Sequence, residues 1–208
     1  MTFDPDLIRK LDISAGQLLG HSNQAEVRRF QVEGLDLAIK MPKGRGLAWA
    51  ARRVSLEREY STYLRLAGLA GFPRCLGFVD RKWLVLEYVD AIPFRQARLI
   101  NRELFFQRLL TSIQAMHARG VAHGDLKRKD NLLVIEPDQP IILDLGSAAR
   151  SRTGFHPITN RLFRYICQTD LNAWVKLKYD GYENIPASDQ VFLRRSGLER
   201  ILARMRRR

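Results

Sequence analysis

The sequence is short of cysteine, of acid and of long apolar runs. Only two of its 208 residues are cysteine, Cys75 and Cys167. They lie far apart in no CxxC or Cys/His ligand spacing, so they indicate neither a disulfide framework nor a zinc site. A reducing, cytoplasmic compartment is the simplest expectation. No apolar run approaches the ~20 residues that cross a bilayer. The opening stretch MTFDPDLIRK lacks the basic-then-apolar order of a signal peptide. The expectation is therefore a soluble chain, or one bound only to a membrane surface. No repeat or low-complexity tract is present, and with 46% apolar and 27% charged residues disorder, collagen and coiled coil are excluded.

The scarcity of acid is the strongest bias. Against 35 Lys and Arg stand 22 Asp and Glu, a net charge of +13, and the isoelectric point is about 10.3. A field of that sign attracts nucleic acid, acidic headgroups and phosphorylated substrates. It is also uneven. Arg194, Arg195, Arg200, Arg204, Arg206, Arg207 and Arg208 face only Glu199 in the tail, which reads equally as a solvated helix face with a frayed basic end or as a binding patch.

Along the chain the pattern changes once, near the middle. Residues 12–42 read as short strands with turns, the last of them ending Asp36-Leu37-Ala38-Ile39-Lys40-Met41. Residues 48–67 read as a helix with Leu56, Tyr60, Tyr63 and Leu64 on one side, ended by Gly68, Gly71 and Pro73. Cys75 to Val79 and Lys82 to Val89 are expected to be two further strands around a turn at Asp80-Arg81. Arg102 to Arg119 is a helix with Leu104, Phe105, Leu109, Ile113 and Met116 along one stripe and Gly120 as its cap. Asn131 to Ile135 and Ile141 to Leu145 are short apolar runs separated by the turn-rich residues 136–140, a hairpin pattern. From about Arg161 the chain reads as one or two helices.

Chemistry concentrates in His123-Gly124-Asp125-Leu126-Lys127, then Asp130-Asn131-Leu132-Leu133-Val134, then Ile142-Leu143-Asp144-Leu145-Gly146. Phosphoryl transfer needs a carboxylate to orient the attacking hydroxyl, a cation near the transferred group, and oxygen ligands for Mg²⁺. Asp125, Lys127 and Asp144 offer these in order. Residues 19–146 resemble the protein-kinase-like superfamily, whose catalytic loop, later metal-binding aspartate and earlier lysine strand follow the same sequence order. The resemblance maps Leu37-Ala38-Ile39-Lys40 onto the lysine strand, Arg58-Glu59-Tyr60 onto the helix that supplies its glutamate, and Leu86-Glu87-Tyr88-Val89 onto the hinge. It implies an α+β, bilobal kinase-like fold. Residues 1–89 would form a small β-sheet lobe with one helix, and residues 90–208 a reduced helical lobe with a basic tail.

The same resemblance implies ATP and Mg²⁺ as cofactors bound between the two lobes. Adenine would lie against Val27, Ala38 and Leu133 and bond the Glu87 to Val89 backbone; Ser22, Asn23 and Ala25 would approach the phosphates. Asp125, Lys127, Lys40 and Glu59 would be the catalytic set. Taken singly, Lys40 also fits a snorkelling edge lysine, Glu57 and Glu59 flank the apolar stripe almost equally, and His123 reads as a packing residue. The second metal ligand is Asp130 by ungapped counting and Asn131 by the wording Asn-Leu-Leu-Val.

Departures from the pattern narrow the reading. The stretch Gly20-His21-Ser22-Asn23-Gln24-Ala25-Glu26-Val27 has one glycine where a glycine-rich flap has three, and is similar to the loop of RIO-type kinases; a bare turn is the plain alternative. Gly124 stands where many protein kinases carry an arginine that pairs with a phosphorylated activation segment, so control of that kind is not expected. No Ala-Pro-Glu follows Gly146, and an ordinary peptide acceptor is not expected. The His-Gly-Asp loop, the basic charge and Leu171-Asn172-Ala173-Trp174 resemble the bacterial lipopolysaccharide core (Kdo/heptose) kinase family. That implies an anionic lipid-linked sugar as acceptor and attachment to the anionic inner face of the cytoplasmic membrane of a Gram-negative bacterium. Two alternatives stand beside it. One is a RIO-like protein kinase or ATPase meeting RNA or protein, the other a non-catalytic basic module on the same scaffold.

Overall fold

The computed structural model describes residues 3–21 and 25–194. Ser22 and Asn23, expected near phosphate, lie outside the described residues, as do the tail arginines from Arg195 onward. Residues up to Ala91 together with Ile142–Gly146 form one compact unit, and Ile92–Ile141 with the chain from Ser147 form a second.

The first unit is an antiparallel sheet of β1 (Gln17–His21), β2 (Ala25–Val32), β3 (Leu35–Pro42), β4 (Cys75–Val79) and β5 (Trp83–Glu87), in the order β1-β2-β3-β5-β4. Glu33 and Gly34 join β2 to β3 with φ of 49° and 75°, the left-handed pair that matches the twist of a two-residue hairpin. Leu37, Ile39 and Met41 point to one face, where Ile8, Phe30, Val79 and Val85 complete a core. Ile8 belongs to α1 (Pro5–Arg9), an N-terminal helix capped by Asp4 that the sequence pattern did not reveal. Each such buried side chain contributes ~1.5–3 kcal/mol. A one-residue slip of β3 would drive Lys40 into this core and Ile39 out of it, so the register is firmly set. The opposite face carries Val27, Arg29, Ala38, Lys40, Leu84 and Leu86 by register, and α2 (Gly46–Arg65) packs against the sheet.

α2 departs from its expected stripe. Leu56 and Tyr63 are each 3% exposed, but Leu64 is 50% exposed and Glu59 is buried in its stead. The buried face is set by Lys40, which makes a carboxylate acceptable there; Tyr60 stacks on Phe78 at 5.4 Å.

The second unit holds α3 (Arg102–Ala118) and α4 (Pro157–Lys178) packed together, the two-residue strands β6 (Ile92–Pro93), β7 (Val121–Ala122) and β10 (Ala149–Arg150), the strands β8 (Leu132–Ile135) and β9 (Gln139–Ile142), and the short α5 (Ala187–Gln190). Asn101 caps α3 by accepting the Leu104 N–H at 3.0 Å. Gly120 follows the helix with φ of 69°, as its cap position requires. Phe94, Phe105, Phe106, Trp174 and Phe192 form a ring cluster, and the Trp174 indole donates to the Phe106 carbonyl at 2.7 Å.

The expected strand Ile141 to Leu145 is displaced. β9 begins inside the supposed spacer, at Gln139, and ends at Ile142. Asp144 then adopts φ of 59°, a left-handed turn that no strand can contain. α4 begins at Pro157, four residues before Arg161, because proline is well suited to a first helical turn. Among the described residues no helix is long and apolar enough to cross a membrane.

Candidate functional site

The sequence-predicted residues fall into two groups, one in each unit. In the first, Lys40 sits on β3, whose alternation points it away from the apolar core and toward α2. Its Nζ donates to Glu59 Oε1 at 2.9 Å and Oε2 at 2.8 Å, and to Asp144 Oδ1 at 2.8 Å. Glu57, the competing acid, instead meets Arg81 at the surface at 2.9 Å. The Lys40 and Glu59 side chains are 16% and 3% exposed, and that of Asp144 is 50% exposed. Burial works against the Lys40 ammonium, but the two carboxylates outweigh it and raise its pKa. Burial pushes the Glu59 carboxyl up, with Lys40 opposing.

Two further contacts from α2 hold the metal-candidate segment. Glu59 also hydrogen-bonds the Leu145 backbone. Tyr63, one turn on, hydrogen-bonds the Asp144 backbone, while burial drives its phenol well above the usual range. The left-handed Asp144 is thereby fixed from three sides, as a residue in a sparsely populated conformation must be.

Val27 and Ala38 share the face of Lys40, and Ala25, two residues before Val27 on β2, is buried on that face. At the end of β5 the Glu87 N–H donates to the Arg74 carbonyl at 2.9 Å and the Tyr88 N–H to the Asp36 carbonyl at 2.9 Å. The hinge candidates Glu87 and Val89 are thus joined by a segment already bonded to its neighbours.

In the second unit the His123-Gly124-Asp125 loop follows β7 and is organised by a buried carboxylate. Asp170 on α4, 1% exposed, accepts the His123 N–H at 2.7 Å and the Gly124 N–H at 2.9 Å, and its Oδ2 lies 3.0 Å from His117 Nε2. Gly124 has φ of 80°, and a Cβ there would come within 3.1 Å of the Ser147 carbonyl oxygen. An arginine at the position where many kinases carry one would be strained in its backbone and crowded against Ser147. His123 is fully buried and its Nδ1 accepts the Asp125 N–H at 3.2 Å, which is a packing and bracing role.

Asn131 and Asp130 separate. Asn131 is 5% exposed and its Nδ2 donates to the Asp125 carbonyl at 3.0 Å. Asp130 is 55% exposed and paired with Arg95 at 2.6 Å, a hydrogen bond that holds its carboxyl below the usual range. The 3₁₀ turn Lys129–Asn131 sets the two neighbours apart, and Asn131 is the one tied to Asp125. Lys127 is exposed, Arg128 lies 3.9 Å from Asp125 Oδ2, and Leu133 is half-buried on β8 opposite Pro93.

Asp170, His117 and Tyr63 were not found by sequence reasoning. The available signal for Asp170 was an acid three residues before a run, Ala173-Trp174-Val175, that is buried without a break. Asp170→Ala is expected to strand the His123 and Gly124 donors at about 1–3 kcal/mol each, read as a lower denaturation midpoint with an unchanged slope. An unaltered midpoint would show that the loop is held by other means.

No protein-family model matches the sequence. The chain is 27% identical over 148 residues to a maternal embryonic leucine zipper kinase of Danio rerio, covering 66% of this chain and 22% of that one. It is 32% identical over 145 residues to a CBL-interacting protein kinase of Oryza sativa subsp. japonica, covering 64% and 32%. Among solved structures it is similar to the Rio2 kinase of Chaetomium thermophilum in its complex with ADP, Mg²⁺ and phosphoaspartate, with a TM-score of 0.59 and 17% identity, covering 90% of this chain and 63% of that one. The chain spans about a quarter to a third of the length of the curated relatives. Its fold is protein-kinase-like: an antiparallel sheet with α1 and α2 packed on it, followed by a helical part.

Proposed function

We propose that the protein is an ATP-dependent phosphotransferase that acts on a hydroxyl. The observation that carries this reading is Lys40 bridging Glu59 and Asp144 on one unit, which leaves an ammonium and a half-exposed carboxylate side by side. Mg²⁺ fits the donors available. Asp144 offers carboxylate oxygen, a hard donor. Among the described residues no group of three or more His, Cys, Asp or Glu could hold a metal by itself, so phosphate oxygens would have to complete the shell. When bound, the ion would neutralise charge on the phosphates. Lys40, held by Glu59, would orient the nucleotide phosphates. Asp125 would take the proton of the acceptor hydroxyl as it attacks, and Lys127 would stand near the transferred group.

Asp144→Ala tests the nucleotide half of this reading. Its expected effect is a loss of at least about tenfold, or 1.4 kcal/mol, in the Mg²⁺-dependent part of ATP affinity, measured calorimetrically with and without the metal. Equal Mg-ATP affinity in a folded variant would remove Asp144 from the metal site.

For the acceptor, an anionic molecule suits a loop reading Lys127-Arg128-Lys129 beside Asp125. The first reading is a sugar hydroxyl on a lipid-linked glycan such as lipopolysaccharide core, reached from the cytoplasmic face of a membrane. The likeness to a Rio2 kinase favours a second, a RIO-like protein kinase or ATPase. Phosphate analysis of lipopolysaccharide from cells with and without the gene supports the first, and phosphorylation of a purified protein supports the second.

A further inference from the structure

α4 is two helices in character. Its C-terminal half is core, with Asp170, Asn172, Ala173, Trp174, Val175 and Leu177 buried. Its N-terminal half, with Phe155 two residues ahead of it, presents Phe155, Ile158, Leu162 and Tyr165 to solvent at 93%, 85%, 56% and 51% exposure. The spacing of three, four and three places Ile158, Leu162 and Tyr165 on one helical side, with Phe155 continuing the line. Monomeric surfaces scatter such side chains singly; a contiguous row of them marks an interaction surface.

The charge around this row has one sign. Residues 145–169 contain Arg150, Arg152, Arg161 and Arg164 and no Asp or Glu, and Arg152, Arg161 and Arg164 are exposed. We infer that the N-terminal half of α4, with Phe155 ahead of it, is a docking surface for an anionic lipid bilayer.

The shape and chemistry select this partner. The row is a ridge on a convex helix, anchored at its far end in the core. A bilayer interface deforms around a ridge, accepts aliphatic and aromatic side chains below the headgroups, and pairs flanking arginines with lipid phosphates. An RNA would use the arginines and stack on Phe155 or Tyr165, but it would gain little from Ile158 and Leu162. An acidic protein would answer the charge and need a preformed apolar groove as well.

The surface is independent of the phosphotransferase reading, because none of its residues belongs to the groups around Lys40 or Asp125. The test uses the full chain, mixed phosphatidylcholine/phosphatidylglycerol vesicles, and pure phosphatidylcholine vesicles. The unaltered protein is expected to bind the mixed vesicles, less so as salt rises, and to bind the neutral ones poorly. Ile158→Ser with Leu162→Ser, and separately Arg161→Gln with Arg164→Gln, should each lower binding by at least about tenfold while thermal unfolding and ATP affinity stay unchanged. Removal of residues 195–208 should leave the effect of both double variants in place. Equal binding to neutral and mixed vesicles overturns the inference. So does wild-type binding by both double variants, or binding that is lost with the tail alone. A chain that ignores vesicles but loses RNA or acidic-peptide binding in the double variants overturns it too.

Discussion

In a folded Asp125→Ala protein, turnover is expected to fall ~10²- to 10⁴-fold while ATP affinity holds. The separation follows from how the loop is built. The position of Asp125 is fixed through its backbone, whose N–H donates to His123 Nδ1 and whose carbonyl accepts from Asn131. The neighbouring N–H groups of His123 and Gly124 are fixed by Asp170. None of these bonds uses the Asp125 side chain, so removing the carboxylate leaves the loop standing and deletes only what the carboxylate does. The carboxylate itself is weakly paired: Arg128 at 3.9 Å, itself 63% exposed, is too far out in solvent to supply much attraction. Steady-state rates on the true acceptor, beside calorimetric nucleotide binding, give the two numbers needed. A loss of turnover below about tenfold would mean that Asp125 is not the general base. A matching loss of ATP affinity would mean that its carboxylate serves the nucleotide.

Much of the scaffold under that loop was legible because local rules govern it. β3 alternates, and its apolar residues were bound to face a core; Gly120 ends α3 because only a residue at ease with positive φ fits there. The loop motif itself announced its chemistry by residue type. What stayed hidden depended on partners distant in sequence. A helical wheel could not choose between Glu57 and Glu59, because Lys40 and Arg81 make the choice, and both lie on other elements. Leu64 read as core for the same reason: the stripe is centred on an acid whose burial only Lys40 permits.

The remaining differences come from backbone turns that carry no periodic signal. Nothing in Ile141 to Leu145 says that the apolar run breaks at Ile142, since the left-handed Asp144 is held by Glu59 and Tyr63 from α2. The different settings of Asp130 and Asn131 arise from the 3₁₀ turn Lys129–Asn131, which residue type alone does not reveal. Asp170 was invisible because two of its partners are backbone N–H groups, which have no residue type to read, and the third, His117, lies on another helix.

The Lys40, Glu59 and Asp144 cluster carries the largest stability effect. Lys40→Met removes the cation that bridges the two acids and leaves Glu59, 3% exposed, beside a second carboxylate. Breaking a buried pair in this way costs about 3–5 kcal/mol, far more than the pair contributes over an apolar pair of the same shape. The pH dependence has a definite sign. Burial raises the pKa of Glu59 in the folded protein, and without Lys40 only the Leu145 backbone hydrogen bond opposes that rise. A carboxyl raised in this way favours folding at low pH, below its unfolded value, and that support is lost as pH rises through the folded value. The deficit of Lys40→Met relative to the unaltered protein should therefore be largest near neutrality and shrink toward acid. Glu59→Gln on top of Lys40→Met removes the uncompensated charge, so the double variant should be more stable at neutral pH than Lys40→Met alone, a non-additivity expected only for groups in direct contact. Denaturant unfolding of the three variants across pH measures both effects. A deficit that is the same at every pH, and that adds with Glu59→Gln, would show that Lys40 stabilises the unit through the packing of its methylenes and not by neutralising Glu59.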